Sequence, residues 1–120
     1  MDEIRLGAVE SRFADIIWAR EPLTTKELVD VCAKELSWKR TTTYTVLKKL
    51  CDRGIFETTN SIVSAKMTRE EFYAIQSEKF VEETFDGSLP VFLAAFTKRK
   101  KLTHEEAEEL RRMIDEYEEK

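Results

Sequence analysis

The chain has 120 residues, 42% of them hydrophobic, with 20 Lys+Arg against 24 Asp+Glu and a net charge of −4. That length suits one domain, or one small domain with an appendage, and the apolar content excludes a disordered tail. Dense charge of both signs reads as a chain made largely of surface helices, and a net negative total would by itself argue against a nucleic-acid partner.

The first predicted helix covers about Leu6 to Arg20, with Val9, Phe13, Ile16 and Ile17 on one face. Pro22 ends it, and Thr24-x-x-Glu27 is a capping box that opens a second helix to about Leu36, with Leu28, Val31, Cys32 and Leu36 inward. After Ser37-Trp38 a third helix runs from about Lys39 to Arg53. Thr43, Val46, Leu47, Leu50 and Cys51 form its apolar face, and Arg40, Thr41, Tyr44, Thr45 and Lys48 lie opposite. Gly54 can enter the left-handed conformation after the last turn. Two extended pieces follow, Ile55 to Thr58 and Ile62 to Met67, with Asn60-Ser61 as the turn between them.

A second capping box, Thr68-x-x-Glu71, opens a fourth helix to about Phe85, with Phe72, Ile75, Phe80 and Val81 near its apolar side. Gly87 ends that helix, and Pro90 stands near the start of a short fifth one reaching about Thr97. The run Lys98-Arg99-Lys100-Lys101 reads as a solvated linker to a third box, Thr103-x-x-Glu106. The last helix carries Ala107, Leu110, Ile114 and Tyr117 at helical spacing.

Charge is unevenly distributed. Residues 1–68 hold eleven basic and ten acidic side chains, while residues 69–120 hold nine and fourteen. Within 37–53, Lys39, Arg40, Lys48, Lys49 and Arg53 face only Asp52. Phosphate responds to that local field more than to the total.

The order helix, helix, helix, hairpin is that of a winged helix-turn-helix. The predicted fold is therefore mainly α with a small β-hairpin: a winged-helix DNA-binding domain over 1–68 and a helical dimerisation domain over 69–120. The third helix takes the place of the reader in the major groove. There Arg40, Lys48 and Lys49 can hold phosphates, while Thr41, Tyr44 and Thr45 can approach base edges. The same residues also fit a solvated basic face, as in a winged helix used only for protein interaction. The many aromatic side chains after residue 68 exceed what some fifty residues can bury alone. A second copy of the chain would cover them, with Phe72, Phe80, Leu93, Phe96, Leu110 and Ile114 supplying apolar contacts.

Cys32 and Cys51 both fall at apolar helical positions and read as small buried hydrophobes, and His104 is the only histidine. No zinc site, cofactor, Gly-rich phosphate loop or catalytic triad is expected, and the chain reads as a non-enzyme. The absence of a leader-like apolar segment or a membrane-length run reads as a cytoplasmic protein without membrane insertion.

Four segments resemble the penicillinase-repressor family of bacterial transcriptional repressors (the BlaI/MecI group, related to CopY-type copper repressors). They are Glu10 to Trp18; Leu23-Thr24-Thr25-Lys26-Glu27-Leu28; Thr42-Thr43-Tyr44-Thr45-Val46-Leu47-Lys48-Lys49-Leu50 with Arg53-Gly54-Ile55; and Val91-Phe92-Leu93-Ala94-Ala95-Phe96 with Leu102-Thr103 and the Glu-Glu-Leu of 108–110. The resemblance implies a homodimeric repressor on a palindromic operator, with Thr42 among the DNA-contacting residues. It also implies targets such as a β-lactamase and its sensor, and a membrane sensor-protease that leads directly or indirectly to cleavage of the repressor. The family's Asn-Phe cleavage position corresponds to Ala95-Phe96, where the Phe is kept and the Asn is not. Two further departures are Tyr44, where the family often has Lys or Arg, and a second wing strand without the family's tyrosines. The C-x-C cysteine pairs of the copper-sensing branch are absent.

Overall fold

A computed structural model describes residues 6–119. In chain order the elements are α1 (Ala8–Arg20), β1 (Leu23–Thr24), α2 (Thr25–Leu36), α3 (Arg40–Asp52), β2 (Phe56–Thr59), β3 (Ile62–Ala65), α4 (Arg69–Phe85), α5 (Leu89–Arg99) and α6 (His104–Tyr117). The chain divides into two compact units, one through Glu78 and one from Lys79, with the division inside α4.

The first unit is a winged helix-turn-helix. Phe13, Ala14, Ile16 and Ile17 of α1, Leu28 and Cys32 of α2, and Thr43, Leu47 and Leu50 of α3 are buried. Their spacing follows the 3.6-residue repeat that the sequence displays. Val9, expected on the same inward face, is instead half exposed, one turn before the core begins at Phe13. Between α2 and α3, Ser37 takes a left-handed conformation (φ 58°) and the Trp38 N–H donates to the Cys32 carbonyl. Trp38 then packs on Phe13, ring centroids 5.3 Å apart.

The hairpin closes through Asn60 and Ser61, both at positive φ (53° and 63°), as a two-residue turn matched to strand twist requires. Val63 points into the core from β3, and Phe56 from β2. The sheet has a third strand that the sequence did not reveal. β1 pairs antiparallel with β3, Leu23 opposite Val63 and Thr24 opposite Ile62, giving the order β1-β3-β2. Two residues carry too little period to be read as a strand. Beyond Leu23 the Ala65 N–H, opposite Glu21 in this register, is accepted by the Glu21 carboxylate at 2.8 Å.

All three Thr-x-x-Glu boxes form. Thr24, Thr68 and Thr103 each accept from the N–H of the Glu three residues on, at 3.0 Å, and each Glu accepts the threonine's own N–H in return. The start of α4 belongs to the first unit's core. Phe72 is 1% exposed; Trp18 lies within ring contact of Phe56, Phe72 and Tyr73, and its indole N–H donates to the Met67 carbonyl at 3.0 Å.

The second unit is helical. Phe80, Phe85 and Phe92 form a cluster of edge-on rings, and Phe96 stacks on Phe92. No residue of α5 or α6 is buried. Ser88 caps α5, which continues through Lys98 and Arg99, two residues beyond expectation; basic side chains are favoured in a last turn, where the helix dipole is negative. Among the described residues no helix is long and apolar enough to cross a membrane.

Candidate nucleic-acid interface

The buried Thr43, Leu47 and Leu50 fix the rotation of α3 about its axis. At about 100° per residue, Thr41, Thr45, Lys48 and Asp52 then point outward, Tyr44 occupies one shoulder of that face, and Thr42 and Lys49 the other. The seven residues expected to meet DNA, Arg40, Thr41, Thr42, Tyr44, Thr45, Lys48 and Lys49, are all exposed on this helix. Thr43, within the same threonine run, turns inward, and its hydroxyl donates to the Lys39 carbonyl at 3.2 Å.

The entrance to α3 differs chemically from the box-capped helices. Its N-cap is Lys39, which makes no side-chain cap, and its first turn holds no acidic residue. Exposed backbone N–H groups, Arg40 and the Thr41 and Thr42 hydroxyls therefore share one positive end. The Arg40 guanidinium lies 5.4 Å from the Tyr44 ring centroid, a cation–π contact that holds both side chains at the start of the helix.

The two lysines are not equivalent. Lys48 Nζ meets Asp52 Oδ2 at 3.0 Å, with side chains 78% and 66% exposed. Such an i,i+4 pair in water is weak and readily opened. Lys49 Nζ meets Glu10 Oε2 of α1 at 2.6 Å, and the Glu10 side chain is only 22% exposed. The other Glu10 oxygen accepts the Gly7 N–H at 3.2 Å. The Lys49 hydrogen bond is the main reason the Glu10 carboxyl lies below its ordinary pKa. This long-range partner, 39 residues away, leaves no local trace in the sequence.

Beside α3, the wing presents Thr58, Thr59, Asn60 and Ser61 to solvent, a polar tip without charge. Cys32 is fully buried, and burial pushes its thiol up to about 11, so it stays protonated at neutral pH.

The residues expected at a dimer surface divide between the units. Phe72 is enclosed within the first unit and has no side-chain surface left for a second chain. In the second unit, Phe80 and Leu93 are each 36% exposed, Phe96 44% and Ile114 62%, and Leu110 is half-buried. Ala95 and Phe96 are exposed and lie within the helix of α5.

Comparison with known proteins agrees with this architecture. The sequence profile described as Penicillinase repressor matches residues 6–116, nearly the whole chain. The chain belongs to the penicillinase repressor family. It is 20% identical over 117 residues to the penicillinase repressor of Bacillus licheniformis, covering 94% of this chain and 91% of that one. Winged helix-turn-helix and family membership together support a DNA-binding, repressing role in general terms.

Proposed function

We propose that the chain is a homodimeric transcriptional repressor that lays α3 in the major groove of a palindromic operator. The observation that carries this reading is the outward face of α3. Cationic and hydroxyl side chains are exposed along one helix, whose rotation is fixed by a buried opposite face and which is flanked by a two-stranded wing. Arg40 and Lys48 contact phosphate and set the register; Thr41, Thr42, Tyr44 and Thr45 approach base edges.

Dimerisation is assigned to the second unit. A unit whose last two helices bury no side chain, while Leu89, Val91, Phe96, Ile114 and Tyr117 stand between 44% and 73% exposed, leaves its apolar surface to a second copy. Phe80, Leu93, Phe96, Leu110 and Ile114 contribute to that contact; Phe72 does not.

The name of the Bacillus licheniformis relative suggests targets of the β-lactam-resistance type. On the family resemblance of the sequence, release from DNA is assigned to cleavage at Ala95-Phe96, brought about directly or indirectly by a membrane sensor-protease.

Selection of genomic fragments by the full chain tests the reading. The expected outcome is a two-fold symmetric sequence whose half-sites lie about one helical turn of DNA apart, or a multiple of it, bound with a steep salt dependence. A chain that enriches no sequence and binds duplex no better than an acidic control protein is a protein-interaction module instead.

A further inference from the structure

We propose that Glu10 is a charge clamp on the reading helix, holding Lys49 out of the phosphate contacts and so lowering the chain's affinity for DNA of any sequence. The inference rests on the proposed reading of α3 and specifies how its charge is used.

Geometry carries the argument. Lys49 occupies the shoulder of α3 nearest α1, and its ammonium group is 2.6 Å from Glu10 Oε2. The carboxylate is fixed at both oxygens, since Oε1 takes the Gly7 N–H while Oε2 takes Lys49. It is also the less exposed partner, 22% against 51%. The Lys48–Asp52 pair on the same helix provides the contrast. Both its side chains are more than 60% exposed and both lie on α3, so a phosphate can replace Asp52 with little rearrangement.

Electrostatics gives the consequence. Binding to duplex DNA releases roughly 0.9 counterion for each phosphate neutralised, and the slope of log affinity against log salt counts these events. Glu10 offsets the Lys49 charge directly, and Arg53 also lies in the field of this carboxylate. A phosphate that draws the lysine close also draws the carboxylate close, so the pair adds almost nothing to the count. Removal of the Glu10 charge exposes one further cation at the edge of the reading face.

The test is a salt titration of the full chain on one fixed duplex of about three helical turns, with Glu10→Gln, Lys49→Ala and the double variant. Gln keeps an acceptor for the Gly7 N–H while removing the charge. Glu10→Gln is expected to steepen the slope by about one unit, so that affinity falls roughly threefold to fourfold more than the parent's between 50 and 200 mM salt. Lys49→Ala alone is expected to leave the slope within about half a unit of the parent, and in the Glu10→Gln background to remove the added unit. If Glu10→Gln does not fold, Glu10→Ala is read in the same way.

Two results overturn the clamp. One is a slope flattened by about a full unit, relative to the parent, in the double variant, where no bare Glu10 carboxylate faces the duplex; it means the lysine reaches phosphate despite Glu10. The other is an unchanged slope in Glu10→Gln. Arg40→Ala and Lys48→Ala in the same series separate this failure from failure of the underlying reading. If they flatten the slope while the Glu10 variants do nothing, α3 is the reader and the clamp is wrong. If they too have no effect, α3 does not face DNA and both fall.

Discussion

Lys48 and Tyr44 share the exposed side of α3 but carry different information. A flexible ammonium at 78% side-chain exposure reaches any phosphate, whereas the phenol beside Arg40 presents a planar ring and a hydroxyl. Lys48→Ala should therefore weaken binding almost equally on all sequences and flatten the salt slope by about one unit. Tyr44→Ala should change the preferred base at one operator position, by about 1–3 kcal/mol in relative affinity. Competition binding on operator variants checks both, and matching sequence profiles for Tyr44→Ala and parent would remove Tyr44 from readout. Glu10 makes a separate prediction about stability. Its carboxyl pKa is lowered in the folded chain, chiefly by the Lys49 hydrogen bond, so its contribution is present above the ordinary value of 4.5 and is lost as pH falls below it. Glu10→Gln should narrow the stability gap between parent and variant as pH drops from neutral towards 3, read from urea midpoints. At this scale the sequence was legible where neighbours are local. The helical period separates inward Thr43 from outward Thr41 and Thr45, but nothing near Lys49 announces a partner on α1.

Helix ends were more legible than strand partners, and the reason is range. A capping box is complete within four residues, so Thr24, Thr68 and Thr103 could each be placed before any tertiary contact was known. Each is expected to contribute about 1 kcal/mol, and Thr24→Ala should lower the first unit's stability by that amount. β1 depends on β3, some forty residues later. The reach of α4 into the first unit was hidden for the same reason: Phe72 has the right period for an apolar face, but its contact with Trp18, far back in α1, decides which core that face joins. The turns supply a second prediction for the elements. Ser61 holds φ 63° without being glycine, in a turn type that favours Asn-Gly. Ser61→Gly should stabilise the hairpin by several tenths to about 1 kcal/mol. Gly54, at φ 82°, has no atom within 4 Å of an added Cβ, so Gly54→Ala should cost about 1 kcal/mol through backbone strain alone. Thermal melts of both variants test the pair, and equal shifts of the same sign would contradict it.

For the whole molecule, the placement of Phe72 determines where the chain can be cut. A fragment ending at Met67 would forfeit a fully buried phenylalanine, a loss of roughly 3–5 kcal/mol, whereas one ending at Glu78 keeps it. Cutting at Ala95-Phe96 acts elsewhere. The bond lies inside the eleven-residue α5, so a protease that requires extended backbone must first unwind that helix. After cleavage, Phe96 loses its covalent link to Phe92, on which it stacks, and α6 stays joined only to the last turn of α5. Phe96, Ile114 and Tyr117, all at least 44% exposed in the single chain, are then lost to the proposed dimer surface. At roughly 25 cal/mol per Å² of apolar area, removal of a few hundred Å² weakens association by several kcal/mol. Each monomer keeps an intact winged helix but grips only one half-site, and the advantage of two linked readers disappears. A chain ending at Ala95 should therefore show an unchanged first-unit melt, sediment as a monomer at concentrations where the full chain is a dimer, and bind operator at least tenfold more weakly, about 1.4 kcal/mol or more. If that shortened chain dimerises and holds the operator as tightly as the parent, cleavage at this bond cannot release the target genes, and release must act through another site.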